Sequence, residues 1–171
     1  MKLIHIHEIP YVIILKRGVR MKTWVKEIEI NAPIEQVWEL FDGSLENMQK
    51  IMPQVVENKL ITETEEVVGS VYRQKYKEGK RIMEYDVTAL EYENNETNKK
   101  FKVGFTLANM FEITAKYELT KIDEQTTHLT YTATNQPLKW FAKLFVMLAS
   151  DKAAVEFVER VKKVAEKELV A

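Results

Sequence analysis

Residues 138–169, LKWFAKLFVMLASDKAAVEFVERVKKVAEKEL, decide the fold. Leu144, Met147, Leu148, Val155, Val158, Val161, Ala165 and Leu169 recur at helical spacing and predict one buried stripe. Glu156 with Arg160 and Glu159 with Lys163 stand four apart on the wet side, pairs worth about 0.2–0.5 kcal/mol each. At ~1.5 Å per residue an unbroken helix here would run on the order of 45 Å, longer than the strands that precede it. A break at Ala149-Ser150-Asp151, with Ser150 or Asp151 capping a second segment, resolves the mismatch. Val155 to Leu169 then plugs a core, and Trp140 to Leu148 is expected to act as a gate beside Met48 and Met52.

What this helix covers is written upstream. Val55–Thr62 reads as a strand. From Gly69, Tyr72, Gln74 and Tyr76 alternate with Val71, Arg73, Lys75 and Lys77, and Glu78-Gly79 makes a hairpin turn. Met83, Tyr85, Val87 and Ala89 then share one side against Glu84, Asp86 and Thr88. After the polar turn 93–98, Phe101, Val103, Phe105 and Leu107 alternate with Lys102, Gly104 and Thr106. Phe111, Ile113, Ala115, Tyr117 and Leu119 form the next inward row, and Leu129, Tyr131 and Ala133 the last. Connections this short join antiparallel neighbours, and a sheet apolar on one face must cover that face.

Further back, Trp24, Lys26, Ile28 and Ile30 alternate through a strand over 22–31. Pro33 suits a first helical position, and Ile34, Val37, Trp38 and Phe41 follow at helical spacing. Ser44 is placed to cap a second short helix bearing Leu45, Met48, Ile51 and Met52, which Pro53 stops. The order predicts an α+β helix-grip fold: a curved seven-stranded antiparallel sheet wrapped around a long C-terminal helix, with two short helices after the first strand. One domain spans 21–171. Residues 1–20 are read as an extension outside it, spurious or flexible. Their apolar run, Ile9 to Leu15, is far short of the ~20 residues that span a bilayer. The basic residues Lys16, Arg17 and Arg20 follow that run, whereas a secretory leader places its charge in front.

The stretch Ile28-Glu29-Ile30-Asn31-Ala32-Pro33-Ile34-Glu35-Gln36-Val37-Trp38 resembles the opening of the START/Bet v 1-like superfamily, the SRPBCC group. Met52-Pro53, Gly69-x-x-Tyr72 and Thr126-Thr127-His128-Leu129-Thr130 are similar to its pattern as well. Polyketide cyclase/dehydrase-like and carbon-monoxide-dehydrogenase-subunit-G-like proteins belong to this group. The resemblance covers Met21 to the C-terminus. It implies the helix-grip fold and an internal ligand cavity; Pro33 and Trp38, its most shared residues, are structural. Lipid carriers, hormone receptors, cyclases and dioxygenase domains share the superfamily, so the resemblance leaves the ligand open.

Charge and motifs exclude several function classes. Twenty-five basic against 26 acidic residues leave a net charge of −1, which offers no field for nucleic acid. There is no cysteine, which removes disulfide and thiolate chemistry and fits a reducing cytoplasm, the expected location. His5-x-His7 lacks a third ligand, and His128 takes the outward parity, so no metal and no cofactor are expected. The iron ligands of the superfamily's dioxygenase members have no counterpart. No glycine-rich phosphate loop and no Gly-x-Ser-x-Gly elbow occurs. Asp86 and Glu84 face outward by parity and form no catalytic pair.

What remains is the inward face. Tyr72, Tyr76, Tyr85, Tyr117 and Tyr131, five of the seven tyrosines, take the inward parity. A buried phenol needs a partner or a wet cavity, because leaving it unpaired costs about 1–3 kcal/mol. Gln74 adds an amide, and Met48, Met52, Met83 and Met147 supply adaptable lining. With Phe101, Val103, Phe105, Phe111, Ile113, Leu129, Leu144, Leu148 and Val155 these make the expected ligand cavity; none is assigned a catalytic role. The leading expectation is non-covalent binding of a hydrophobic or aromatic small molecule by a carrier, sensor or store, as monomer or homodimer. The alternatives are a cyclase, dehydratase or isomerase in the same cavity, and a protein- or membrane-interaction module around Lys139-Trp140-Phe141.

Overall fold

Alternation in β3 (Lys22–Ile30) sends Lys26, Ile28 and Ile30 to one buried face while Glu29 stays exposed. The computed structural model describes residues 15–16 and 19–168, with side chains over 21–167. His5, His7, the run from Ile9 to Ile14 and Leu169 lie outside the described residues. Ahead of β3, β1 (Leu15–Lys16) and β2 (Val19–Arg20) pair as a short antiparallel ribbon. After β3 the chain turns at Asn31-Ala32, and Pro33 takes the N-cap of α1 (Ile34–Glu39), one position earlier than its spacing suggests. Gly43, at φ +83°, makes the corner that a side chain would strain. Ser44 caps α2 (Leu45–Ile51) as expected, its Oγ accepting from the Asn47 backbone N–H at 3.2 Å.

The meander follows: β4 (Val55–Thr62), β5 (Val71–Glu78), β6 (Arg81–Asn94), β7 (Asn98–Leu107), β8 (Phe111–Asp123) and β9 (Thr126–Pro137). With β3 these strands form one seven-stranded antiparallel sheet in the order β3-β9-β8-β7-β6-β5-β4. The excursion through α1 and α2 carries the chain from one edge to the other. The β5–β6 turn is Gly79-Lys80 rather than Glu78-Gly79, since Glu78 pairs with Arg81. Register shifts in β4, β6 and β8 bend the sheet, as bulges do.

The final helical stretch is broken where its length demanded: α3 (Ala142–Leu148) and α4 (Lys152–Glu168). Lys26 reaches Asp151 at 2.8 Å, and the Lys22 ammonium donates to the Met147 and Ala149 carbonyls. Two cations on one strand thus hold the junction. At ~1.5 Å per residue the 17-residue α4 is about 25 Å long, which fits the sheet. It packs along β3 and β9 and against α1 and α2. There Ile30, Val37, Leu40, Ile51, Leu119, Leu129, Val158 and Val161 lose all contact with solvent. Gln36 Nε2 donates to the Ala165 carbonyl at 2.8 Å and Thr127 Oγ1 to the Ala32 carbonyl at 2.8 Å. Arg160 leaves the wet side expected for it and donates to the Ile51 carbonyl at 3.0 Å, closing the C-terminal end of α2.

Leu129 is wholly enclosed at this end. Leu129→Ala is expected to cost about 2–5 kcal/mol, the price of a core cavity, read as a lower urea midpoint with an unchanged slope. A loss under about 1 kcal/mol would contradict the close packing there.

Candidate functional site

The concave face has two unlike halves. Around Leu119 and Leu129 it is sealed by α1 and α4. On β5, β6 and β7 the inward side chains Tyr72, Gln74, Tyr76, Met83, Tyr85, Val103 and Phe105 are only half-buried, as are Phe111 and Ile113 on β8. Pairing across the strands confirms their common face: Tyr76 lies opposite Met83, Gln74 opposite Tyr85, and Phe105 opposite Ile113.

Aromatic contacts run within each half. Tyr85 stacks on Phe105 with centroids 4.6 Å apart. Tyr117 stacks on Tyr131 at 5.4 Å, and both meet Phe157 of α4, at 5.5 and 4.6 Å. Phe41 closes on Tyr117 at 4.8 Å. At the far end Tyr92 meets Trp38 at 5.9 Å and the edge of Phe101 at 6.1 Å. Gln74 Nε2 lies 3.5 Å from the Met48 sulfur, which brings α2 over β5. Met52 is half-buried against the core, and Val155 is half-buried on α4.

Burial raises the pKa of five of these phenols. Tyr85 and Tyr131 are pushed up to about 12, Tyr117 goes well above its ordinary value, and Tyr72 and Tyr76 rise. Desolvation is the main cause throughout, with neighbouring phenols opposing ionisation of Tyr85 and Tyr117. At neutral pH this face therefore presents hydrogen-bond donors rather than phenolates. Two acceptors face them. Asn58 Oδ1 and Asn135 Oδ1 are buried and make no hydrogen bond among the described residues. Asn58 pairs with Gln74 across β4–β5, and Asn135 with Ile113 across β8–β9, so both take the inward side. Arg73 points away, 2.8 Å from Asp86, and the charged groups that act on the phenols are Glu63 on Tyr72 and Glu78 and Arg160 on Tyr76. Among the described residues no three His, Asp or Glu side chains gather as a metal group.

Four expected lining residues stand elsewhere. Leu129 is sealed in the core and presents no surface to a ligand. Leu144, Met147 and Leu148 are 60%, 57% and 76% exposed. The break at 149–151 resets the helical phase: α3 buries Ala142 and Val146 against β9, and these small side chains turn the large ones outward. Spacing alone also passed over Tyr92, Phe157, Asn58 and Asn135. Phe157 was legible, since it precedes Val161 by four. Tyr92 was not, because the bulge between Ala89 and Glu91 shifts its parity.

Residues 21–166 match the family described as polyketide cyclase/dehydrase and lipid transport. The chain belongs to that family. The family lies in the SRPBCC/Bet v 1-like superfamily, and the helix-grip sheet above is that fold. No curated protein matches the chain. Among solved structures, the Zhui aromatase/cyclase from Streptomyces sp. R1128 is similar, with TM-score 0.68, 14% identity, and coverage of 87% of this chain and 96% of that one. Norcoclaurine synthase from Thalictrum flavum, in complex with dopamine and hydroxybenzaldehyde, has TM-score 0.63 at 14% identity, covering 91% and 96%. Major latex-like protein 151 from Panax ginseng has TM-score 0.61 at 16% identity, covering 86% and 97%. At such identities the family fold is shared, and the side chains of each cavity must be read separately.

The raised phenols set an alkaline limit. An unfolded tyrosine ionises near pH 10, so between about pH 10 and 12 the unfolded chain loses protons that the folded chain keeps. Stability is expected to be intact below this window and to fall through it. Phenolate absorbance should show Tyr85, Tyr117 and Tyr131 ionising only as the protein unfolds. Ionisation of every tyrosine near pH 10 in the folded state would contradict their burial.

Proposed function

We propose that the chain binds a hydrophobic or aromatic small molecule in the space between the β5–β7 half of the concave face and the helices, acting as a carrier, sensor or store. One observation carries this reading: inward side chains of β5 and β7, with Met83 and Tyr85 of β6, retain accessible surface, while Val87 and Ala89 further along β6 and Leu119 and Leu129 on the same face are buried. A well-packed interior leaves few voids larger than a water, so half-buried Tyr76, Met83, Tyr85 and Phe105 favour an enclosed space that a ligand enters. Tyr72, Gln74 and Tyr76 would orient polar groups on it, with apolar contact from Met48, Met83, Phe105 and Ile113. The aromatic molecules named with norcoclaurine synthase support a ligand of that size and class.

A cyclase or dehydratase in the same space is the second reading, supported by the family and by phenols that stay protonated and would polarise a carbonyl by donating a hydrogen bond. Binding without chemistry is favoured because, among the described residues, the carboxylates that act on these phenols, Glu63 and Glu78, are exposed to solvent rather than enclosed with them as a base would be. Lys26, the inward cation beside Tyr131, is engaged by Asp151.

Native mass spectrometry of protein from its own host should show a copurified small molecule, and anilinonaphthalene sulfonate should bind saturably and be displaced by it. Met83→Trp is expected to weaken that binding about tenfold, a change of 1.4 kcal/mol. It should shift stability by less than the roughly 1–3 kcal/mol that overpacking costs, because open space receives the ring. No bound molecule and no saturable probe, together with a full overpacking penalty, would mean a filled interior and would defeat both readings.

A further inference from the structure

The face of α3 that turns away from the sheet belongs to no part of the cavity. Trp140 is 82% exposed, and Phe141, Leu144, Phe145, Met147 and Leu148 are exposed beside it. A helix of two turns that buries Ala142 and Val146 on one side is apolar on the other side as well. A solvated helix carries polar groups there, and a patch this rich in large side chains marks an interaction site. Between Leu138 and Ser150 the only ionisable residues are Lys139 and Lys143. Beyond them Lys152 extends the basic rim, 3.7 Å from Glu156, and the Asp151 carboxylate is occupied by Lys26.

We propose that this face docks on an anionic lipid bilayer surface, with α3 lying in the interfacial plane and Lys139 and Lys143 against the headgroups. An exposed indole at the rim of an apolar face suits the headgroup level. At seven residues α3 is far too short to cross, and no helix among the described residues is long and apolar enough to do so. A second copy is the poorer fit. Two-fold pairing would set one α3 against another and bring together two segments whose ionisable side chains are all lysine. The proposal is independent of what the cavity holds.

The test is co-sedimentation of the full chain with phosphatidylcholine vesicles, with and without phosphatidylserine. Wild-type protein should bind the phosphatidylserine vesicles, and their omission should weaken binding roughly fivefold for each lysine engaged. L144D with L148D should weaken it about tenfold or more without lowering the unfolding temperature, because both positions are exposed. K139E with K143E should remove the phosphatidylserine dependence and spare the fold. Wild-type protein remaining in the supernatant would overturn the proposal, as would equal sedimentation of L144D/L148D. A dimer that these substitutions split, with no vesicle binding, would assign the face to a second copy and overturn it too.

Discussion

The structure depends on a mismatch between a sheet and its cover. Seven strands present a concave face wider than one helix can close, since a helix with side chains is about 10–12 Å across and neighbouring strands stand about 4.8 Å apart. α4 therefore seals the side formed by β3, β9 and β8, and the β5–β7 side stays open beneath it. α1 and α2 fill part of the remainder because the chain crosses from β3 to β4, from one edge of the sheet to the other. The sealed core and the half-buried face are thus two regions of one surface, divided by where a single helix runs out.

The same geometry explains the junction at 149–151. A continuous helix would overshoot the sheet, so the chain breaks, and the break is held by charge rather than by apolar packing. Lys22 and Lys26 come from inward positions of β3, where alternation would otherwise place apolar residues. Their ammonium groups meet the carbonyl end of α3 and the carboxylate of Asp151. Such contacts fix the direction of α3 at little gain in stability. They make the helical phase on either side of the break independent.

Legibility followed period. Where alternation ran unbroken, as from Phe101 to Phe105 and from Ile113 to Tyr117, the inward set was written in the sequence, and Tyr85 and Phe105 meet as the parity required. A period is only as good as its continuity. One extra residue in β6 placed Tyr92 against Trp38, where strict alternation puts it outside. Carrying the phase of α4 back across the break made Leu144 and Leu148 inward, whereas each side of a break sets its own phase. Asn58 and Asn135 escaped for a different reason: a polar residue at an inward position reads as a strand end unless its pairing partner is known. Leu129 was correctly inward, but pattern cannot separate a sealed position from a lining one, because that depends on what lies across from it.

That last distinction turns on the polar groups. A phenol or amide sealed dry without a partner costs about 1–3 kcal/mol, against a net stability of roughly 5–15 kcal/mol for a domain. Tyr117 meets this by ring packing on three aromatic neighbours inside the core. Tyr72, Tyr76 and Tyr85, with Gln74, lie where no such enclosure forms, and closing the sheet over all four would consume much of the stability available. Replacing them with leucine or phenylalanine would remove that obstacle, and would also let the β5–β7 half collapse into a second core. The polar residues therefore keep this half from filling, and on the proposed reading they are also the groups that would make directional contacts to an occupant.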